Sequence, residues 1–378
     1  MKITILGPAH PFRGGIAALN ERLAKQLFEE GHEVNIVSFT IQYPNFLFPG
    51  KTQFNNFDMN FDFTITREIN SVNPFNWIKI GKKIGKAKPD VVVVRFWLPF
   101  MAMCLGTLCR IIRKNNHTKI IALTDNLIPH EKRIGDNLLI RYFIKSVDGF
   151  LAMSESVLND IKLFDNIKPK KLTPHPIYDH YGTIENKEIA LKKLNLPISD
   201  KYILFFGFIR DYKGLDLLLK AFADKFFTEN NIKLIVAGEF YSNEDKYLSL
   251  IDELGIKDQV ILFTTFIPNS EVQNFFNAAD IIVQPYKSAT QSGVAQIAYH
   301  FHKPILVTNV GGLAEIVPHE KVGYVVSTNP NEITNALIDF FSKNRKKEFE
   351  KNLIVEKLRF SWDIMTNNLF ELLNELNQ

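Results

Sequence analysis

Three short stretches of this chain are almost wholly apolar: Val91-Val-Val-Val94, Ile232-Lys-Leu-Ile-Val-Ala237 and Asp280-Ile-Ile-Val283. A strand with one wet face alternates apolar and polar side chains. A strand apolar throughout needs cover on both faces, and parallel sheets flanked by crossover helices supply that cover. The intervening sequence fits this demand. Ile16, Leu19, Leu23 and Leu27 form one helical stripe, with Glu21, Arg22 and Lys25 off it and Gly31 as the stop signal.

The same alternation runs through both halves. Strands are expected at 2–6, 33–39, 61–65, 90–94, 119–123 and 148–153, then at 202–207, 232–237, 259–263, 280–284, 304–308 and 323–326. First-half helices are expected at 15–30, 74–88, 100–114, 137–146 and 155–163. Three more follow at 330–343, 345–359 and 361–376, the last capped by Ser361 or Asp363. A chain of 378 residues exceeds one ordinary core. Structure is weakest around Pro174-His-Pro-Ile-Tyr-Asp-His-Tyr-Gly182, which reads as the linker. The expected class is therefore α/β, with two doubly wound Rossmann-like domains facing across a cleft. The divisions are 1–182, 183–358 and a C-terminal helix, 359–378, that crosses back to the first domain by analogy with chains of this kind.

Bulk properties remove several function classes. The net charge of +4 is too mild to argue for nucleic acid. Cys104 and Cys109 match no metal spacing and no disulfide framework, which fits a reducing cytoplasm. Met1 leads directly into a strand-like run, so no secretion leader is expected. Residues 91–109 are apolar apart from Arg95, but Arg95 and Pro99 suit a strand, a turn and a helix better than a membrane span.

No Gly-x-Gly-x-x-Gly, Walker-type phosphate loop, Gly-x-Ser-x-Gly elbow or Asp-x-Asp metal clamp occurs. No metal site and no cofactor is expected; a diphosphate would have to be neutralised by protein groups. Four loops suit that task. Gly14 and Gly15 stand between the first strand and helix. Arg210 and Lys213 follow strand 202–207. Gln291, Ser292, Gly293 and Val294 open a helix after strand 280–284. Gly311 and Gly312, with Glu315, follow strand 304–308. Each loop faces the carboxyl end of a strand, where α/β sheets take anionic ligands. Singly, each reads equally as a tight surface turn.

Together these segments resemble the GT-B retaining glycosyltransferases often called glycosyltransferase group 1, or family 4. The carriers are Gly14-Gly15, Gly207…Lys213-Gly214, Ala237-Gly238, Ala279-Asp280…Pro285 and Lys303-Pro304…Gly311-Gly312…Glu315. The resemblance implies transfer of a hexosyl group from a nucleotide-diphosphate sugar by front-face attack with retained configuration, for surface polysaccharide or glycolipid synthesis. It implies that Lys213 and Arg210 hold the diphosphate, amides near Gly293 assist, Glu315 lies near the donor, and Gly14 and Gly15 close the cleft. The acceptor would be a glycan or a lipid-linked sugar.

The chain departs from that pattern in three places. The family's paired glutamates fall on Ala289 and Ile297, with Gln291 or Gln296 as neutral substitutes. The family arginine falls on Phe208. A first-domain histidine falls on Asp125, which orients an acceptor hydroxyl or caps its loop; His130 contacts donor or acceptor, or fills a structural polar site. The losses leave open a non-catalytic sugar-nucleotide binder, an inactive partner of a transferase, or an epimerase. Residues 74–88 form a basic, aromatic-bearing helix suited either to an anionic inner leaflet or to ordinary packing on the sheet.

Overall fold

The computed structural model describes residues 1–44, 54, 60–129, 133–241, 243–289 and 291–378; His130 and Thr290 lie outside them. Seven strands form the first sheet: β1 (Lys2–Leu6), β2 (Glu33–Ile41), β3 (Thr64–Asn70), β4 (Val91–Phe96), β5 (Lys119–Thr124), β6 (Gly149–Ala152) and β7 (Lys170–Leu172). Their order is β3-β2-β1-β4-β5-β6-β7. The second sheet holds β8 (Lys201–Phe206), β9 (Ile232–Ala237), β10 (Val260–Phe263), β11 (Ile281–Gln284), β12 (Ile305–Thr308) and β13 (Gly323–Val326), ordered β10-β9-β8-β11-β12-β13. Every pairing is parallel. Each sheet winds outward from its first strand and then reverses, the doubly wound arrangement. The described residues form two compact units, Met1–His175 with Phe360–Gln378, and Pro176–Arg359.

Helices cover the sheets as their periodicity requires. Helix α1 (Gly15–Glu29) buries Leu19, Leu23 and Leu27. Helix α2 (Pro74–Ala87) begins at an Asn73 cap that accepts from the amides of Phe75 and Asn76. It buries Trp77, Ile80 and Ile84. Gly81 is shaped by its neighbour: a Cβ there would sit 2.9 Å from the Ile111 Cβ on helix α3 (Ala102–Arg113). The glycines that would weaken a free amphipathic helix therefore serve close helix–helix packing. The 91–109 stretch divides into β4, a turn at Pro99–Met101 and α3. Among the described residues no helix is long and apolar enough to cross a membrane.

Two strand expectations are corrected. The third strand occupies 64–70 and not 61–65, because pairing with β2 runs from Asn35↔Thr64 to Ile41↔Asn70. An edge strand takes its limits from its neighbour more than from its own alternation. Strand β7, only Lys-Lys-Leu, is too short and polar to announce itself.

The last helix (Trp362–Leu376) belongs to the first unit. Ser361 caps it, its hydroxyl accepting from the Ile364 amide. Arg22 on α1 stacks over Trp362 at 5.0 Å, Gln26 donates to Asp363 at 2.9 Å, and Thr366 donates to Glu30 at 2.7 Å. In the second unit Asp280 ties three segments together. It accepts from Lys187 and Lys346, both at 2.6 Å, and from the Tyr202 amide at 2.8 Å. Those partners hold its carboxyl below the usual range against the pull of burial.

Candidate functional site

In the second unit three separated segments meet where β8 and β11 end. Strand β8 runs apolar to Phe206, and Gly207 follows at φ +99°. A Cβ on Gly207 would stand 3.0 Å from the Lys213 Nζ and 3.6 Å from a Val294 methyl. The missing side chain thus lets the ammonium reach the first turn of the helix Gly293–His300. Gly214, at φ +69°, presses the turn Asp211–Lys213 onto the next loop, where a Cβ would lie 1.9 Å from the Pro285 carbonyl oxygen. No other residue fits there. The Lys287 amide donates to the Tyr212 carbonyl at 2.7 Å and locks the two loops.

The electrostatics of this corner are unbalanced. Asp211 is engaged by Lys246 at 2.5 Å and Lys287 at 3.3 Å, and Lys287 also pairs with Asp216 at 2.9 Å. These two carboxylates are thereby turned to other lysines. Among the described residues, Lys213 and Arg210 make no ion pair. Lys213 lies 5.6 Å from the Tyr286 ring centroid, and Arg210 lies 5.2 Å over the Tyr241 ring. Burial, reinforced by the Arg210 charge, pulls the Lys213 ammonium down to about 8. Such a cation is stabilised by an arriving anion.

Ser292 completes the corner. Its hydroxyl caps the helix by accepting from the Ala295 amide at 3.3 Å and is hydrogen-bonded to Tyr286. The amides of Gly293 and Val294 open that helix beside Lys213. Arg210, Lys213, Ser292, Gly293 and Val294, expected from separate loops, are thus gathered. The rest of the second-unit set is less concentrated. Gln291 lies in the loop just before, its Nε2 buried without a partner among the described residues. Ala289 and Ile297 are buried, and Gln296 is wholly enclosed, too deep to meet a ligand directly. Gly311, at φ +52°, and Gly312 precede a four-residue helix, Leu313–Ile316, on which Glu315 is exposed.

In the first unit the Gly14–Gly15 loop opens α1, with Gly14 at φ +114°. Asn20 donates to the Pro8 carbonyl at 2.9 Å, and the His10 amide donates to Glu21 at 2.6 Å. Glu21 lies off the buried stripe, as its spacing suggested, and is half-buried; burial pushes its carboxyl up to about 7 against the His10 amide. Asp125 follows β5, and its carboxylate is engaged by Arg95. It takes a two-point grip from Arg95, with Nε to Oδ2 at 2.5 Å and Nη2 to Oδ1. Arg95 is 1% exposed. Burial raises the Asp125 carboxyl while the guanidinium opposes that rise.

Arg95 is a site-forming residue that sequence reasoning used only against a membrane span. The available signal was a lone charge ending an all-valine strand, which demands a buried partner. Among the described residues, no group of three or more His, Cys, Asp or Glu side chains could hold a metal ion.

Comparisons with known proteins agree with this geometry. Residues 13–176 match the Glycosyltransferase Family 4 domain, and residues 186–356 match Glycosyl transferases group 1. An uncharacterized glycosyltransferase of Methanocaldococcus jannaschii is 25% identical over 100% of this chain and 99% of its own. N-acetyl-alpha-D-glucosaminyl L-malate synthase of Bacillus anthracis is 25% identical over 86% of this chain and 84% of its own. Among solved structures, Thermosynechococcus elongatus sucrose-phosphate synthase superposes with a TM-score of 0.73 at 16% identity, covering 100% of this chain and 99% of that one. Anabaena HepE in complex with UDP gives 0.73 at 13% identity, covering 99% and 100%.

Proposed function

The chain is a glycosyltransferase of the GT-B fold, built from a family 4 domain and a group 1 domain, and on that premise we propose what it transfers and how. It moves a hexosyl group from a nucleotide-diphosphate sugar to a glycan or lipid-linked acceptor, with retained configuration and without a metal ion. The observation that carries this reading is the pair Lys213 and Arg210, without a carboxylate partner among the described residues, beside the start of the helix Gly293–His300. As the bond from sugar to phosphate breaks, negative charge grows on the leaving diphosphate. Two fixed cations and the amides of Gly293 and Val294 stabilise that charge, a kind of contact often worth about 3–4 kcal/mol in the transition state. The diphosphate then helps to take the acceptor proton.

Anabaena HepE, solved with UDP and with UDP-glucose, supports a nucleotide sugar as the donor class. With Ala289 and Ile297 at the family's glutamate positions, the donor's hydroxyls meet neutral groups, Gln291 among them. Gly311, Gly312 and Glu315 border the donor. The second domain, 183–358, holds the donor, and the first, 1–182, holds the acceptor. The reaction serves surface polysaccharide or glycolipid synthesis at the cytoplasmic face.

A thermal-shift panel of nucleoside diphosphates and their sugars tests the donor reading. We expect at least one to raise the melting temperature by several degrees, and transfer to continue in excess chelator with the donor's anomeric configuration. A flat panel, or activity abolished by chelator and restored by a divalent ion, refutes it.

Attachment to an anionic inner leaflet would use the outer side of α2, where Phe75 is 83% exposed among Lys79, Lys82 and Lys86. Failure of the protein to pellet with anionic vesicles at low salt removes that part.

A further inference from the structure

The stretch that reads in sequence as a linker does more than join the units. The chain passes from the first unit to the second between His175 and Pro176. Just beyond, Tyr178 is 4% exposed and lies against the first residue of the helix Gly293–His300. A Cβ on Gly293 would stand 2.6 Å from the Tyr178 Cε2 and 3.4 Å from its Cζ and Oη. Gly293 stays outside the left-handed region, so its backbone would accept other residues. The tyrosine is what demands glycine there.

The same segment is pinned along that helix and its neighbour. The His300 Nε2, at the helix's other end, donates to the Gly182 carbonyl at 2.8 Å. Gln273 and Asn277, on the helix Asn269–Ala278, accept from the amides of Thr183 and Glu185, both at 3.1 Å. Asn277 also donates to the Thr183 carbonyl at 2.9 Å. The Tyr178 ring meets those of His180 at 5.4 Å and Tyr181 at 5.9 Å, both edge-on. It is thus fixed in place where it touches the helix's first turn.

A brace at this position has a chemical use. Strand β11 ends at Gln284, so it does not directly set where the helix begins. A helix of 8 residues is too short to fix its own ends. The amides of Gly293 and Val294 stabilise charge on a diphosphate only where they point at it, and a displacement of about 1 Å can cost about 100-fold in rate.

We propose that Tyr178 is a positioning residue for the leaving diphosphate: its ring fixes the first turn of the helix Gly293–His300 and so aims the amides of Gly293 and Val294. It acts through Gly293.

The inference rests on the donor reading above, and calorimetric titration separates the two. The probes are adenosine, guanosine and uridine diphosphates and inorganic pyrophosphate. We expect Tyr178→Ala to weaken pyrophosphate and the nucleoside diphosphates that bind by about tenfold, the contribution of one hydrogen bond to a charged group, with stoichiometry unchanged. Tyr178→Phe, which keeps Cε2, should bind as the wild type does. Gly293→Ala should cost at least about tenfold in the wild-type background and at most about twofold once Tyr178 is replaced by alanine, because the clash is gone. A tyrosine that only stabilised the fold would change melting temperature and stoichiometry and leave affinity alone. Should Tyr178→Ala fail to fold, Tyr178→Leu, which keeps apolar bulk without the ring edge, carries the same test. Wild-type affinity in the alanine or leucine variant, or an equal cost of Gly293→Ala in both backgrounds, refutes the brace and leaves the donor reading standing. If the wild type binds no nucleoside diphosphate, both fall.

Discussion

The two sheets end in cations and treat them oppositely. At the end of β4, Arg95 is spent on Asp125, its near neighbour across β5, in a two-point contact shielded from water. At the end of β8, Lys213 and Arg210 make no ion pair among the described residues, while Asp211 and Asp216 are held by Lys246 and Lys287. A neutralised pair is architecture and holds a backbone in place. An unneutralised pair keeps its charge for something that arrives from solution. A positive group at a strand end is therefore not by itself the mark of a binding site; the fate of the nearest carboxylates is.

The sharpest way to break this contrast is to remove one cation from each end. Arg95→Met leaves the Asp125 carboxylate buried and uncompensated, and should cost about 3–5 kcal/mol in urea unfolding. The double variant Arg95→Met, Asp125→Leu should regain part of that loss. A small effect of Arg95→Met would show that water reaches the pair and that the first corner is open like the second.

Lys213→Met should do the reverse. It removes a desolvated charge with no partner, so stability should hold or rise slightly, while nucleotide-sugar turnover falls by about 10²–10³-fold. Loss of stability with little loss of turnover would make Lys213 structural and erase the difference between the corners.

The pH dependence sharpens the same point at smaller amplitude. Free Lys213 sits near 8, and a bound diphosphate would raise it. Affinity is then full below about 8 and declines above it, by at most about tenfold per pH unit, until the higher bound value is passed. Lys213→Arg should flatten that decline, since guanidinium stays protonated throughout.

Much of the fold was legible because its signals are local. The apolar runs of β4, β9 and β11 and the stripe Leu19, Leu23 and Leu27 reported burial before any neighbour was known. Edge strands β3 and β7 were misjudged or missed because a partner sets their limits. The second-unit loops were legible as candidates, since Gly207, Gly214 and Ser292 carry turn and cap chemistry in their own residue types. Helical spacing placed Glu21 off the buried stripe but did not reveal that the His10 amide donates to it. The brace had no one-dimensional signature at all: Tyr178 and Gly293 stand in separate segments and meet only in the fold.

By itself the sequence determined the alternation of strand and helix, the burial of strands on both faces, and the loops in which phosphate chemistry could reside. These follow from periodicity and from backbone conformations that few residues tolerate, properties of neighbours in the chain. Only the tertiary structure decided which charges are satisfied. Asp125 meets Arg95 thirty positions away and Asp211 meets Lys246 thirty-five positions away, while among the described residues Lys213 meets no carboxylate. Coulomb interactions depend on distance and burial, which emerge once the sheets have assembled.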